Sequence, residues 1–416
     1  MFKHIVIIGN SAAGIAAAEA VRSKNKEIKL TIITQEDYCG YYRYFLPEML
    51  DNSIAEKDLI FKQKDFYQQS KINLILNRKV EKINVKRKQI FLQDKTKIDY
   101  DSVIITSGRT MKPPKGLKGA NKNGVVSIDN IVQLKQIKKL IHCCQTVCIL
   151  GANFAGSKIP VFLSKLGLDV KLFVSPDDFL SVILEQKGRD FFKEYSQRNG
   201  FELISPADVV EIFGDSDIKA VKLDSGKVIG CSMLIIDKYY QPNTKFICDT
   251  VLETQNGIVV DEFLRTNVVG LFAAGNVAYN KAEWNCFWPE SFAQGTAAGL
   301  NALAYVSQDA DFQQYKGFPG VMNFSFLGLP GCCIGEINTS DINGSEELVS
   351  INSDGFTYKR IILKDDFVQG VVGIGKGIDL EVFSELILKK IKVTEFKNNL
   401  LSENVSCLLY SNAIGL

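Results

Sequence analysis

An α/β fold with two dinucleotide-binding-type domains and a small α+β C-terminal domain follows from three observations in the 416-residue sequence. The first is the stretch from His4 to Glu36, which reads strand, glycine turn, helix, strand, acidic residue. The second is a repeat of strand, glycine turn, helix and strand from Thr146 to Val174. The third is that residues 311–416 carry short strand-like runs and one amphipathic helix instead of a third repeat.

In the first unit, the apolar run Ile5–Ile8 suits a strand buried on both faces of a parallel sheet. Gly9 permits a tight turn, and Gly14 lets the new helix pack close to the strand. Ala12, Ala13 and Ala16–Ala18 are strong helix formers. The first helical turn directs free N–H groups and a positive dipole end outward, which suits a pyrophosphate. Ser11 replaces the middle glycine of G-x-G-x-x-G and is small enough for close backbone approach. Glu36 follows the second strand, where a carboxylate can accept hydrogen bonds from ribose hydroxyls.

Residues 38–50 are densely aromatic. They read either as a buried lid or as a wall around a flat ring, with Arg43 near the phosphates. The runs Leu74–Leu76, Val80–Val85, Gln89–Leu92 and Ser102–Thr106 predict a β-meander over 73–106. Thr106–Arg109 is a small-residue turn, and Pro113-Pro114 marks a linker. The second unit predicts a strand at Val147–Leu150, the turn Gly151–Gly156, a helix to about Leu166 closed by Gly167, and a strand at Asp169–Val174. The run Gly270–Asn276 reads as a strand ending in Gly275-Asn276, and Trp288-Pro289 opens a helix running to Val306. In the last region strands are expected at Val321–Phe326, Thr357–Leu363 and Val368–Ile374. A helix after Asp379 would carry Leu380, Phe383, Ile387 and Ile391 on one face.

Composition narrows the function. A net charge of +2 gives no general pull toward nucleic acid or membrane. No apolar run approaches a membrane span, and Met1-Phe2-Lys3 leads straight into the first strand, so no signal peptide is expected. Ten cysteines in a long chain then predict reduced thiols in a cytoplasmic protein. Only His4 and His142 are present, so histidine acid–base or nucleophilic chemistry has little material. No C-x-x-C array suggests a cluster, and neither a catalytic side chain nor a metal site is expected.

This order of pieces resembles the FAD-dependent pyridine-nucleotide oxidoreductases with two dinucleotide-binding domains. Within them it is similar to the NADH:rubredoxin oxidoreductases and the flavoprotein part of NAD(P)H-nitrite reductases. The resemblance runs from residue 4 to about 391. It is most specific at the first glycine turn, Tyr42-Arg43 with Leu46, Thr106-Ser107-Gly108, Leu271–Asn276, Trp288-Pro289 with Gln294-Gly295, and Tyr358–Asp365. It implies two Rossmann-like FAD/NAD(P)-binding domains: residues 1–110 with 252–310 for FAD, and 111–251 for NAD(P). Residues 311–416 would form the C-terminal domain.

The resemblance further implies one non-covalent FAD. Gly9, Ser11, Ala13 and Gly14 would hold its pyrophosphate, Glu36 its ribose and Val80 its adenine. Ser107-Gly108 would close over it, and Gly275-Asn276 would meet the ribityl chain. The helix opened at Trp288 would aim its positive end at the flavin. Asn276 stands where the family usually has Asp, keeping an acceptor oxygen without the charge.

Gly151, Asn153 and Gly156 are the matching candidates for NAD(P)H, and here the sequence departs from the family. Val174-Ser175 replaces the carboxylate at the end of the second strand. Lys158 stands where Glu is frequent. Pro160 falls inside the expected helix, where it should kink it or cost ~3 kcal/mol. Either Asp177 or Asp178 takes over the ribose contact, or nicotinamide binding is weak or lost.

The cysteines match no redox position of the fold. Leu46 occupies the place of the oxidase cysteine, Cys39 reads as a wall residue, and Cys143, Cys148, Cys332 and Cys333 read as structural. The implied function is an FAD-containing oxidoreductase passing electrons between NAD(P)H and a small redox protein, such as a rubredoxin, a ferredoxin or another iron–sulfur protein. One alternative is an electron-transfer flavoprotein subunit of a larger iron–sulfur complex with a degenerate second nucleotide site. Another is a non-redox, FAD-stabilised binding protein. Lys112, Lys115, Lys118 and Lys122 read either as a solvated linker or as a docking face for an acidic carrier.

Overall fold

The computed structural model describes residues 3–153, 156–176, 178–248, 250–279, 288–317, 322–338, 342, 344–402 and 405. The chain forms two compact units. One comprises Met1–Phe45, Ile54–Lys112 and Tyr240–Phe318, and the other Leu46–Ser53, Pro113–Tyr239 and Pro319–Leu416.

The first unit is built on a five-stranded parallel sheet in the order Leu271–Ala273, Ser102–Ile105, His4–Ile8, Lys29–Ile33, Ile72–Ile75. Its central strands are continuous runs of Ile, Val and Leu because helices and loops cover both faces, and Ile5, Ile7, Ile32 and Ile104 are fully buried. The expected meander over 73–106 is corrected here. Ile72–Ile75 and Ser102–Ile105 join the parallel sheet, and Val80–Asn84, Gln89–Leu92 and Lys97–Asp99 form a separate antiparallel sheet. Helix Ala12–Lys24 packs on helix Trp288–Ser307 through glycines. A Cβ at Gly295 would lie 2.1 Å from the Ala13 carbonyl oxygen, and one at Gly299 would lie 2.4 Å from that of Ala17.

The second unit has its own five-stranded parallel sheet, ordered Phe201–Ile204, Asp169–Phe173, Thr146–Leu150, Met233–Ile236, Val125–Ser127. Its first helix is Ile159–Lys165, so Pro160 lies in the opening turn rather than mid-helix. The expected kink does not arise, since a first-turn N–H has no helical acceptor to lose.

The C-terminal part of this unit is an antiparallel sheet in the order Met322–Phe326, Leu329–Gly335, Phe367–Ile374, Thr357–Lys364, Glu346–Asn352. Helix Leu380–Leu388 buries Val382, Phe383 and Leu386 with Ile361 and Val371 of the sheet. Strands Leu329–Gly335 and Glu346–Asn352 are additions to the expected set. The helix stops before Ile391, and Val321 lies outside the described residues. Among the described residues no helix is long and apolar enough to cross a membrane, and no group of His, Cys, Asp and Glu could hold a metal ion.

Candidate functional site

The first glycine turn joins strand His4–Ile8 to helix Ala12–Lys24. Gly9 sits at φ +119°, and a Cβ on it would lie 2.2 Å from the Thr106 carbonyl oxygen. A Cβ on Gly14 would lie 2.0 Å from the Gly9 carbonyl oxygen. Both positions therefore require glycine. Thr106, at the end of strand Ser102–Ile105, turns its hydroxyl back to donate to the Ile8 and Gly9 carbonyls at 2.9 and 3.2 Å.

The Gly9 N–H donates to the Ile33 carbonyl at 2.8 Å, and no side chain caps the helix start that follows. Ser11 makes no side-chain cap bond, and no acidic residue lies in the first helical turn that contains Ala12 and Ala13. The Asn10 side-chain amide nitrogen is buried with no hydrogen-bond partner. Its oxygen is fixed by the Tyr67 hydroxyl at 3.0 Å, which in turn accepts from the Gly40 N–H at 3.0 Å. Burial pushes the Tyr67 phenol up to about 12, so it stays protonated and donating. An orphaned buried amide beside an uncapped glycine turn fits a bound phosphate better than a dry core. Local pattern does not point to Asn10 or Tyr67, because their pairing spans 57 residues.

The other candidates of the first unit lie as follows. Glu36 accepts from the Tyr41 hydroxyl at 2.5 Å and from the Arg43 guanidinium, which also stacks 4.9 Å over the Tyr41 ring. Tyr42, Phe61 and Trp288 form an aromatic cluster, with Tyr42 centred 4.7 Å from Phe61 and 5.2 Å from Trp288. Val80 is buried at the start of its strand. Gly275, at φ +71°, donates its N–H to Gln294 Oε1 at 2.8 Å, and a Cβ on it would touch the Ala13 Cβ at 3.0 Å. Asn276 Oδ1 accepts from the Ser291 hydroxyl at 3.2 Å. The Gly275-Asn276 turn is thereby brought to the start of helix Ala12–Lys24.

Ser107 and Gly108 are held by Asn243. Its side chain donates to the Ser107 carbonyl and the Thr110 hydroxyl, both at 2.9 Å, and its N–H donates to the Gly108 carbonyl at 2.9 Å. The Pro242-Asn243 dipeptide thus belongs to the first unit.

The second turn differs in its electrostatics. Gly151 sits at φ +98°, and a Cβ on it would lie 2.5 Å from the Asp237 carbonyl oxygen. Asn153 donates to that same carbonyl at 2.6 Å, and the Gly156 N–H donates to Asp237 Oδ2 at 2.6 Å. Lys158 is withdrawn from any nucleotide surface. It is 2% exposed and paired with Glu48 Oε1 at 2.7 Å, and burial pulls its pKa down against the pull of that carboxylate. Val174 is fully buried. Asp178 is also buried, and its Oδ2 accepts from the Ser175 N–H at 2.7 Å. Asp177 lies outside the described residues.

The described thiols are free. Burial raises the pKa of Cys39, Cys332 and Cys333. Cys148 is raised by its hydrogen bond with Cys231 and by burial. None of these four has the lowered pKa that a reactive thiolate needs, and Cys231 is pulled down only by its hydrogen bond with Cys148, against burial, with no neighbouring cation behind it. Lys112, Lys115 and Lys118 are exposed, and Lys122 donates to the Asp215 carbonyl at 2.9 Å.

The chain is similar to several known proteins. An assimilatory nitrate reductase electron transfer subunit from Bacillus subtilis (strain 168) is 21% identical over 413 residues, which is 99% of this chain and 52% of that one. The chain thus spans about half the length of that relative. An NADH-rubredoxin oxidoreductase from Clostridium acetobutylicum is 26% identical over 377 residues, covering 89% of this chain and 90% of that one. The solved putidaredoxin reductase–putidaredoxin complex has a similar fold, with a TM-score of 0.84, 17% identity and 98% of each chain covered. The model of the pyridine nucleotide-disulphide oxidoreductase family matches residues 3–299. With both glycine turns and both parallel sheets inside that match, the chain belongs to the pyridine nucleotide-disulphide oxidoreductase family.

Proposed function

We propose that the chain is an FAD-dependent oxidoreductase that passes electrons between NAD(P)H and a small redox protein such as a rubredoxin or ferredoxin. The observation that carries this reading is the first glycine turn, with the uncapped helix start and the partnerless Asn10 amide. Bound FAD supplies conversion between two-electron and one-electron transfer. The chain's own residues do the rest. Gly9, Ser11, Ala12, Ala13 and Gly14 would hold the pyrophosphate, and Glu36 and Arg43 the ribose and phosphates. Val80 would line the adenine, while Ser107, Gly108, Gly275 and Asn276 close the turn over the cofactor. Trp288 would stand at the flavin end of its helix, and Gly151, Asn153 and Gly156 would take the nicotinamide nucleotide.

Partner names of the relatives support a small redox protein as acceptor. The raised thiols and the two histidines leave few side chains for chemistry on a small organic substrate. The exposed lysines at 112, 115 and 118 suit an acidic carrier. Free thiols suit the cytoplasm. The test is to release and identify the chromophore, then mix the loaded protein anaerobically with NADH and with NADPH. Flavin bleaching followed by rapid transfer to a carrier supports the reading, and a protein that cannot be loaded with FAD sinks it.

A second reading, an electron-transfer flavoprotein subunit of a larger iron–sulfur complex, is favoured by one observation. The Asp237 carboxylate already occupies the Gly156 N–H in the second turn. Absent bleaching with both nucleotides, together with reduction by an iron–sulfur partner, would select this second reading.

A further inference from the structure

The two halves of the chain contain the same strand–glycine–helix device, so each serves as a reference for the other. In the first, the residue ending the neighbouring strand is Thr106. Its hydroxyl is a donor and is spent on the carbonyls of Ile8 and Gly9. The N–H groups of that turn are thereby left without a side-chain acceptor. In the second, the same place after strand Met233–Ile236 is held by Asp237. A carboxylate can only accept. It takes the Gly156 N–H at 2.6 Å, and its carbonyl takes the Asn153 amide at 2.6 Å.

Asp237 is not a mobile surface group. Its N–H donates to the Leu150 carbonyl at 2.8 Å in register with the sheet, and the residue is 1% exposed. The next residue continues the pattern. Lys238 reaches Ser175, just past strand Asp169–Phe173, with Nζ 2.6 Å from the hydroxyl oxygen. The same ammonium pairs with Asp208 at 2.7 Å, and the Tyr239 hydroxyl donates to Asp208 at 3.0 Å.

We infer that Asp237 is the specificity-determining residue of the second nucleotide turn, a carboxylate of the chain itself that stands where a dinucleotide phosphate would accept its hydrogen bond. Lys238 fills the adjoining ribose end in the same way. A dinucleotide must displace a short charge-assisted bond and then place its own negative charge beside the released carboxylate. The residues of this turn therefore take NAD(P)H only once Asp237 has released the Gly156 N–H. The inference rests on reading Gly151–Gly156 as a nucleotide turn and does not depend on flavin being bound in the other unit.

The test uses the full chain and ADP-ribose, which carries the pyrophosphate and both riboses without a reducible ring. Calorimetric titration compares the parent with Asp237→Thr, which copies the first turn, and with Asp237→Asn, which keeps an acceptor oxygen without the charge. The expected result is binding at least tenfold tighter for the Thr variant and an intermediate gain for the Asn variant. NADH should follow the same order. Folded variants whose affinities match the parent's overturn the inference, as does a parent that already binds ADP-ribose as tightly as the Thr variant.

If the Thr variant fails to fold, the near-isosteric Asn variant carries the comparison. The reciprocal change Thr106→Asp should cost the first unit its FAD while far-ultraviolet circular dichroism is kept. Retained FAD in that variant would also overturn the inference. A parent that takes no FAD at all sinks the flavoprotein reading and leaves the ADP-ribose comparison intact, so the two failures are distinguishable.

Discussion

Ser107 and Asn243 lie 136 residues apart and bond to each other twice, the Ser107 hydroxyl donating to the Asn243 carbonyl at 2.8 Å and the Asn243 amide to the Ser107 carbonyl at 2.9 Å. The loop after strand Ser102–Ile105 is therefore shaped by a residue from a distant part of the chain. Asn243→Ala should strip the Ser107 carbonyl and the Thr110 hydroxyl of their donor. A loss of ~1–3 kcal/mol in stability is expected, with weaker FAD retention. Thermal melting and FAD release are the measurements, and an unchanged FAD dissociation constant would separate this lock from the cofactor.

Glu36 tests the ribose end. Replacing it with Ala removes a charged acceptor and frees Arg43 from its partner. FAD affinity should fall by ~1.5–3 kcal/mol, about ten- to hundredfold. Fluorescence titration of the apoprotein reads the change. Equal affinities would transfer the ribose contact to another group, with Gln35 the first to examine.

Gly14→Ala asks whether the close helix–strand approach is obligatory. Its Cβ would fall 2.0 Å from the Gly9 carbonyl oxygen, a backbone atom that cannot swing aside. Overpacking of this kind costs ~1–3 kcal/mol or more. The variant should melt lower and take up no FAD, whereas a normal melt with full loading would contradict the geometry.

His4 predicts a pH effect. Burial, followed by the nearby Lys29 charge, holds its pKa below the ordinary value of 6.5, while the ring bonds the Thr31 hydroxyl at 2.9 Å and the Asp99 carbonyl at 2.7 Å. The unfolded chain then takes the proton more readily than the native one. This contribution is full above about pH 6.5 and is lost as pH falls below it. Melting curves should show a drop between about pH 7 and pH 5.5 that is shallower in His4→Gln. Identical slopes would assign the drop to carboxylates instead.

The first turn was legible because its determinants are contiguous: an apolar run, Gly9, small residues and Gly14, all within one strand and one helix. The second repeat was legible for the same reason. What sequence did not show is what fills that repeat. Asp237 meets Gly156 from 81 residues away, and nothing in its local pattern marks a carboxylate that will face an N–H. Lys158 likewise reads as a surface substitution until Glu48, 110 residues earlier, is seen to bury it. Strand Ile72–Ile75 looked like part of a meander because strand periodicity is local, whereas its partner Lys29–Ile33 is chosen by tertiary packing.

The glycine contacts of helix Trp288–Ser307 against helix Ala12–Lys24 have a consequence for biosynthesis. The strand His4–Ile8 and its turn emerge from the ribosome well before the surface that presses on Ala13 and Ala17, which is encoded near residue 300. The edge strand Leu271–Ala273 also arrives late. A nascent chain halted before residue 270 therefore carries a complete phosphate-turn sequence without the glycine-bearing helix, its edge strand or Asn276. At ~5–20 residues per second, the amino-terminal unit waits on the order of ten to sixty seconds for these parts. Flavin capture should accordingly be a late event in the life of the chain, and truncated forms ending before the glycine-bearing helix should be substrates for chaperones and proteases rather than small flavoproteins.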